Sequence, residues 1–265
     1  MVERARPLLG TFVSVRVGGL PDARAHHAID DAFDTIAVIH RLMSAQEPDS
    51  DVSRLNRDAA RRPVRVDRET FCVLRWSREM AARSDGAFDV TAPGRRGTWR
   101  DVELYNDDTV HFRRPVTIDL GGIAKGYAVD RAVARLRATG ARQACVNAGG
   151  DLRVLGANTA RVYLRTDART ADAVPVLDVE NGSVASSSGR RHRRERRPHV
   201  DPRSARSIGA RRFVCVVAQR CIVADALTKV VLVLGPGSER VLRRYGAIAH
   251  VHDARGGWRT LGGAA

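Results

Sequence analysis

Asp119-Leu-Gly-Gly-Ile-Ala-Lys-Gly-Tyr-Ala-Val-Asp130 is the stretch on which the reading of the fold turns. The apolar residues just before it, Val116 to Ile118, predict a short strand. Gly121 and Gly122 predict a tight turn, and the spacing beyond them predicts a helix from about Gly126 to Ala138, closed by Gly140. Two nucleotide-binding motifs use such a junction, and neither is present. The Gly-x-x-x-x-Gly-Lys-Ser/Thr order of a phosphate loop is missing, as is the Gly-x-Gly-x-x-Gly dinucleotide fingerprint. What remains is physical. A helix N-terminus beside glycines lets backbone amides approach an anion, with the helix dipole assisting, and Lys125 stands where it neutralises a phosphate. The competing reading is a tight turn with a surface lysine.

Working outward, Thr11 to Val17 predicts a strand, and Asp22 a helix N-cap. Ile29, Phe33, Ile36, Ile39 and Met43 recur at three- and four-residue spacing, which gives that helix one core face. Glu47 to Asp51 predicts a polar loop. Phe71, Leu74 and Met80 predict a second helix from Arg68 to Arg83 that ends near Gly86. Further strands are expected around Val110 to Phe112 and at Gln143 to Asn147, Arg161 to Arg165, Val174 to Val179 and Phe213 to Val217. Two helices, Val223 to Leu234 and Ser238 to Tyr245, precede a hairpin of Ile248 to His252 and Trp258 to Leu261. No βαβ rhythm is sustained. The pattern predicts an α+β architecture of mixed and antiparallel sheets with packed helices, as one domain over residues 1–265.

The composition, 43% apolar and 28% charged over 265 residues, is that of a globular chain with a sizeable core. Nowhere do about 18 apolar residues run together, so no membrane span is expected. The N-terminal stretch carries no cleavage-site pattern, and the expectation is a cytoplasmic protein without signal peptide or lipid anchor. Cys72, Cys145, Cys215 and Cys221 fit no zinc or disulfide spacing and read as buried thiols. The net charge of +15 is nearly all arginine, densest from Arg190 to Arg197. That run contains no aromatic residue for base stacking, so it reads as a solvated loop, and nucleic acid is not an expected partner. The only lysines are Lys125 and Lys229. Where arginine serves almost everywhere else, a lysine points to a position that needs a compact ammonium.

Three further segments carry polar groups suited to a site. In Gly86-Ala-Phe-Asp-Val-Thr91, Asp89 and Thr91 either bind a ligand, or Asp89 caps a turn while Phe88 fills the core. Ser186-Ser-Ser-Gly189 is followed by His199-Val-Asp-Pro202, where a histidine and a carboxylate two apart share a face on an extended chain and can act as base and orienter, or simply sit in an exposed loop. Ala224-Asp-Ala-Leu-Thr-Lys229 opens an apolar helix, and Thr228 and Lys229 fall on the same helical face as Asp225.

In this order the segments resemble the FAD:protein FMN transferase (ApbE) family over nearly the whole chain. Leu9-Gly-Thr-Phe12 is similar to the family's Met-Gly-Thr opening. Met43-Ser44, Asp49-Ser50 and Leu55-Asn56 are similar to its Ser-Thr-Tyr, Asp-Ser and Leu-x-x-Asn stretch. Gly86 to Thr91, the Asp119 to Asp130 block and Asn147-Ala-Gly-Gly-Asp151 match closely. The resemblance implies a two-lobed, T-fold-like single domain. It also implies an enzyme that cleaves the FAD pyrophosphate with magnesium (Mg2+) and transfers FMN to a Ser or Thr hydroxyl of an acceptor flavoprotein, releasing AMP. Some members hydrolyse FAD instead. By the same resemblance Leu9, Gln46, Ala87, Phe88, Asp89, Asp119, Lys125 and Val200 would contact FAD. Ala124, through its main-chain oxygen, and the side chains of Asp225 and Thr228 would ligate the metal, and His199 would sit by the attacking hydroxyl. Asp225 and His199 are thus the catalytic candidates.

The chain departs from the pattern at three places. Lys229 stands four residues after Asp225, where the family has a metal-binding Thr, and reads as a replacement for the metal. Gln46 takes the place of a tyrosine. His199 lies one residue nearer its Asp-Pro than the family's histidine. The alternative function is a non-catalytic FAD- or nucleotide-binding protein, or an FAD pyrophosphatase.

Overall fold

The computed structural model describes residues 1–91, 97–156, 159–164, 176–188, 200–208, 212–253 and 257–263. In chain order the elements are β1 (Val2–Leu8), β2 (Thr11–Gly18), α1 (Asp22–Met43), α2 (Asp51–Asp58), β3 (Val64–Arg65), α3 (Arg68–Arg83), β4 (Val102–Leu104), β5 (Thr109–Phe112) and α4 (Ala124–Ala138). They continue with β6 (Gln143–Ala148), β7 (Asp151–Leu155), β8 (Ala160–Tyr163), β9 (Val176–Val179), β10 (Ser183–Ser188), β11 (Arg212–Ala218), α5 (Cys221–Leu234), α6 (Glu239–Arg244), β12 (Ile248–Asp253) and β13 (Gly257–Gly262).

Eight strands form one sheet in the order β1-β2-β6-β7-β10-β11-β12-β13. Every neighbouring pair is antiparallel. Three helices cover one face, α1 over β1 and β2, α4 over β6 and β7, α5 over β10 and β11. The period-2 alternation of a strand divides the sheet residues between two cores. On β11, Val214 and Val216 join the main helix-covered core while Cys215 joins a smaller one behind the sheet; Ala185 and Val184 on β10 divide the same way. The β8–β9 ribbon contributes Ala160 and Val179 to that second core. This antiparallel α+β arrangement is the predicted class, with a second, smaller core behind the sheet.

The long helices form where local pattern demands them. α1 buries Ile29, Phe33, Ile36, Ile39 and Met43, the stripe read from the sequence. Its cap is Pro21 rather than Asp22, which is already the first helical residue. α3 spans the predicted range, with the Asp67 carboxylate accepting the Glu69 amide. α2 and β1 lack a legible pattern, because α2 buries only Asp51, Val52 and Leu55 and β1 is mostly exposed.

Residues Val116–Ile118 form no strand. The side chain of Asn56 takes the place of a partner strand, donating Nδ2 to the Ile118 carbonyl at 3.0 Å and accepting the Ile118 amide at 2.8 Å. The Asp119 amide then reaches the Val90 carbonyl. The helix beyond begins at Ala124, earlier than expected. Cys215 and Cys221 are buried, and burial pushes the Cys215 thiol up to about 12. Cys72 and Cys145 are only partly covered. By length and composition Cys221–Arg244 is apolar enough to cross a membrane, but most of it is buried and a 3-10 turn at Gly235–Ser238 interrupts it, so its apolarity is that of a core helix. The arginine run 190–197 and His199 lie outside the described residues.

Candidate functional site

α4 and α5 approach so closely that only glycine fits between them. A Cβ on Gly126 would lie 2.3 Å from the Cys221 carbonyl oxygen and 2.8 Å from Asp225 Cβ. The Gly126 amide donates to Asp225 Oδ2 at 3.1 Å. Asp130, one turn further along α4, caps the partner helix. Its carboxylate accepts the amides of Cys221 at 3.0 Å and Ile222 at 3.1 Å, and the Arg153 guanidinium at 2.6 Å. The acids at Asp130 and Asp225 therefore lock the two helices in register.

The β6–β7 turn meets this junction from the sheet. Asn147 Oδ1 accepts the Gly150 amide, and Gly149 sits at φ +64° with the Thr11 side chain where a Cβ would go. The Leu9–Thr11 hairpin tip is thereby packed on the turn. Asp151 follows, 1% exposed, with Oδ1 accepting the Ser186 amide at 3.3 Å and Oδ2 at 2.8 Å from Lys125 Nζ. The Lys125 contact is an ion pair rather than a well-aligned hydrogen bond. Burial, and then the neighbouring Asp225 carboxylate, push the Asp151 carboxyl up against the pull of Lys125 and Lys229. Burial works against the Lys125 charge, but the carboxylates of Asp151 and Asp225 outweigh it and hold the ammonium above its ordinary value.

Lys229 completes the cluster. Its Nζ lies 2.6 Å from Asp225 Oδ1 and donates to Ser187 Oγ at 3.0 Å. Ser187 is also 2.8 Å from the Thr228 hydroxyl, which donates to the Asp225 carbonyl. A Cβ at Gly122 would lie 3.4 Å from Lys229 Cε and 3.7 Å from the Phe88 ring, so the lysine stem, the glycine turn and Phe88 are packed together. Both lysines of the chain and two buried aspartates thus form one charge cluster, with Lys229 against Gly122.

The turn itself is less open to an anion than its sequence suggests. The Gly121 amide is taken by the Asp119 carboxylate at 2.7 Å, and those of Ile123 and Ala124 by the Leu120 carbonyl. Positive charge at the site comes from the lysines. Asp89 realises the capping reading, with Oδ1 accepting the Thr91 amide and hydroxyl and Oδ2 the Trp99 amide, while Ala87 and Phe88 are core residues. Burial raises the Asp89 carboxyl, opposed by its bonds from Thr91. Val200 pairs with Ser207 in a small loop whose Arg203 stem lies beside Gly86. Gln46 is exposed between α1 and α2, bonded to Ser44. Two residues absent from the sequence-predicted site set enter the cluster, Asp151 and Ser187. The signal for Asp151 was its place after paired glycines. Ser187 lies in the Ser186–Ser188 run, where nothing local singles it out.

The sequence profile described as the ApbE family matches residues 9–101 and 94–251, and the chain belongs to that family. The FAD:protein FMN transferase of Rhodobacter capsulatus is 29% identical over 265 residues, covering 86% of this chain and 50% of that protein. The FAD:protein FMN transferase of Vibrio cholerae is 24% identical over 274 residues, covering 88% and 81%. The chain thus spans about half the length of the Rhodobacter relative, and 51% of a Treponema pallidum one. The crystal structure of the ApbE protein of Thermotoga maritima superimposes with a TM-score of 0.85 at 24% identity, over 97% of this chain and 96% of that one. The flavin transferase ApbE of Vibrio cholerae gives 0.86 at 21% identity, over 99% and 97%. The α+β fold is therefore shared with solved members of the family.

Proposed function

We propose that this chain is an FAD:protein FMN transferase. The acceptor's Ser or Thr oxygen bonds to the flavin-side phosphorus of FAD, the bond from that phosphorus to the bridging oxygen breaks, AMP leaves with the bridging oxygen, and the hydroxyl proton passes to a base. The observation that carries this reading is the pair of lysines Lys125 and Lys229, each on a buried aspartate, with Lys229 packed on Gly122. Phosphoryl transfer asks a protein mainly for positioning and for positive charge against the developing negative charge, and two held ammonium groups offer both. Family membership and the names of the relatives support the same chemistry. FAD is the substrate and a flavoprotein the acceptor in this reading. His199, the candidate beside the attacking hydroxyl, lies outside the described residues.

Magnesium, which the resemblance adds, fits this donor set poorly. A hard divalent ion needs several oxygens with free lone pairs. Here Asp225 Oδ1 is held by Lys229, Oδ2 by the Gly126 amide, and the Thr228 hydroxyl by Ser187 and the Asp225 carbonyl. No group of three or more His, Cys, Asp or Glu suited to a metal occurs among the described residues.

The test is incubation of the purified chain with FAD and a candidate acceptor flavoprotein, with chromatography for AMP and in-gel fluorescence for covalent flavin. Transferase activity gives both in step. AMP without labelling identifies a pyrophosphatase, and FAD binding without AMP a non-catalytic binder. FAD should also bind more tightly than FMN in fluorescence titrations, since the cation pair addresses a diphosphate.

A further inference from the structure

We propose that Lys229 takes the place of a divalent cation, so that this chain holds the FAD pyrophosphate without one. The inference rests on the transferase reading and specifies how its site is charged. Lys229 Nζ is fixed by Asp225 Oδ1 at 2.6 Å and Ser187 Oγ at 3.0 Å, and its stem packs on Gly122. The ammonium therefore cannot swing away from the turn without leaving Asp225, which is 0% exposed, as an unpaired buried carboxylate. An entering divalent ion would have to displace that ammonium or share its carboxylate with it, against a repulsion that scales with the ion's double charge.

The charges already balance. Lys125 faces Asp151 and Lys229 faces Asp225, and the electrostatic influence of Asp225 on both Lys125 and Asp151, and of Lys229 on Asp151, marks the four as one cluster. The Lys229 side chain is 19% exposed and that of Lys125 33%, while their acids are closed off, so an anion can approach the cluster only from the lysine side. Lysine suits this seat because its compact ammonium serves as a point charge between the Asp225 carboxylate and the Ser187 hydroxyl. In a chain with 45 Lys and Arg residues, both lysines stand here.

The experiment uses the purified full chain with FAD, EDTA, magnesium and Mn2+ as a spectroscopic probe. The expected result is that the FAD dissociation constant is the same in EDTA and in magnesium, and that Mn2+ electron paramagnetic resonance detects no FAD-dependent bound ion. Lys229→Thr should lose about tenfold in FAD affinity in EDTA, the size of one lost hydrogen bond to a charged group. It should also recover affinity with magnesium and acquire a Mn2+ signal. Wild-type protein that binds FAD only with a divalent ion, or that binds Mn2+ together with FAD, overturns this inference and leaves the transferase reading standing. Wild-type protein that binds no FAD under any condition overturns the transferase reading and this inference with it. The wild-type measurements decide the matter even if the variant fails to fold.

Discussion

Replacing Gly126 by alanine adds one methyl group where α4 and α5 touch, and two effects of opposite sign compete. Alanine is the better helix former by roughly 1 kcal/mol, so in an exposed helix the change would stabilise. Here the new Cβ would sit 2.3 Å from the Cys221 carbonyl oxygen, 2.7 Å from its carbon and 2.8 Å from Asp225 Cβ. The obstacles are backbone and the root of a side chain, which no rotamer change relieves. The helices must therefore part by about an ångström, an overpacking strain of roughly 1 to 3 kcal/mol or more. Parting also stretches the 3.1 Å bond from the Gly126 amide to Asp225, a bond to a charged group of roughly 1.5 to 3 kcal/mol. The net expectation is a loss of roughly 2 to 4 kcal/mol. For a chain of this size that lowers Tm by roughly 5 to 15 °C. Urea titration and thermal melting by circular dichroism measure both. A Gly126→Ala protein as stable as wild type, or more stable, would refute the packing argument, because propensity alone would then have decided the outcome.

Lys125→Ala should weaken FAD binding by about 1 to 3 kcal/mol in fluorescence titrations, and an unchanged dissociation constant would return Lys125 to the status of a surface lysine. Asp130→Ala removes the acceptor for the Cys221 and Ile222 amides and leaves Arg153 without its carboxylate; urea unfolding should show a loss of about 3 to 5 kcal/mol, and a loss below about 1 would mean that water replaces the cap. Glu103 bonds Arg113, His111 and Tyr105, in that order of influence, and its carboxyl sits at about 2 against an ordinary 4.5. The folded state then binds this proton less tightly than the unfolded state, so the stabilisation is complete above pH 4.5 and is lost as pH falls toward 2. Glu103→Gln should flatten that part of the acid-unfolding curve, and an unaltered acid limb would show that the cluster makes no net contribution.

The sequence by itself determined the elements whose signal is local. α1 and α3 were legible because their apolar residues recur with the helical period, and β2, β6 and β11 because they hold Val, with Phe in β2 and β11, residues that carry strand propensity. The order of motifs was enough to mark the family, and two lysines in an arginine-rich chain pointed to the positions that pair with Asp151 and Asp225. Tertiary structure decided what depends on pairing. Val116–Ile118 has strand-like residues, but Asn56 occupies its hydrogen-bonding edge, so no ladder forms. β10, with Ser183, Ser186, Ser187 and Ser188, has little apolar pattern and is a strand because β11 and β7 supply partners. Asp89, Asp119 and Asp130 look alike as exposed-type acids, yet one closes a loop, one holds a turn amide and one caps a distant helix. Gly126 and Asp225 are 99 residues apart, and nothing local in either segment tells which amide or ammonium that carboxylate will meet. Helices and strands arise from neighbours in the chain, whereas a charge cluster arises from neighbours in space, and the sheet order that brings Lys125, Asp151, Ser187 and Lys229 together is a property of the whole fold.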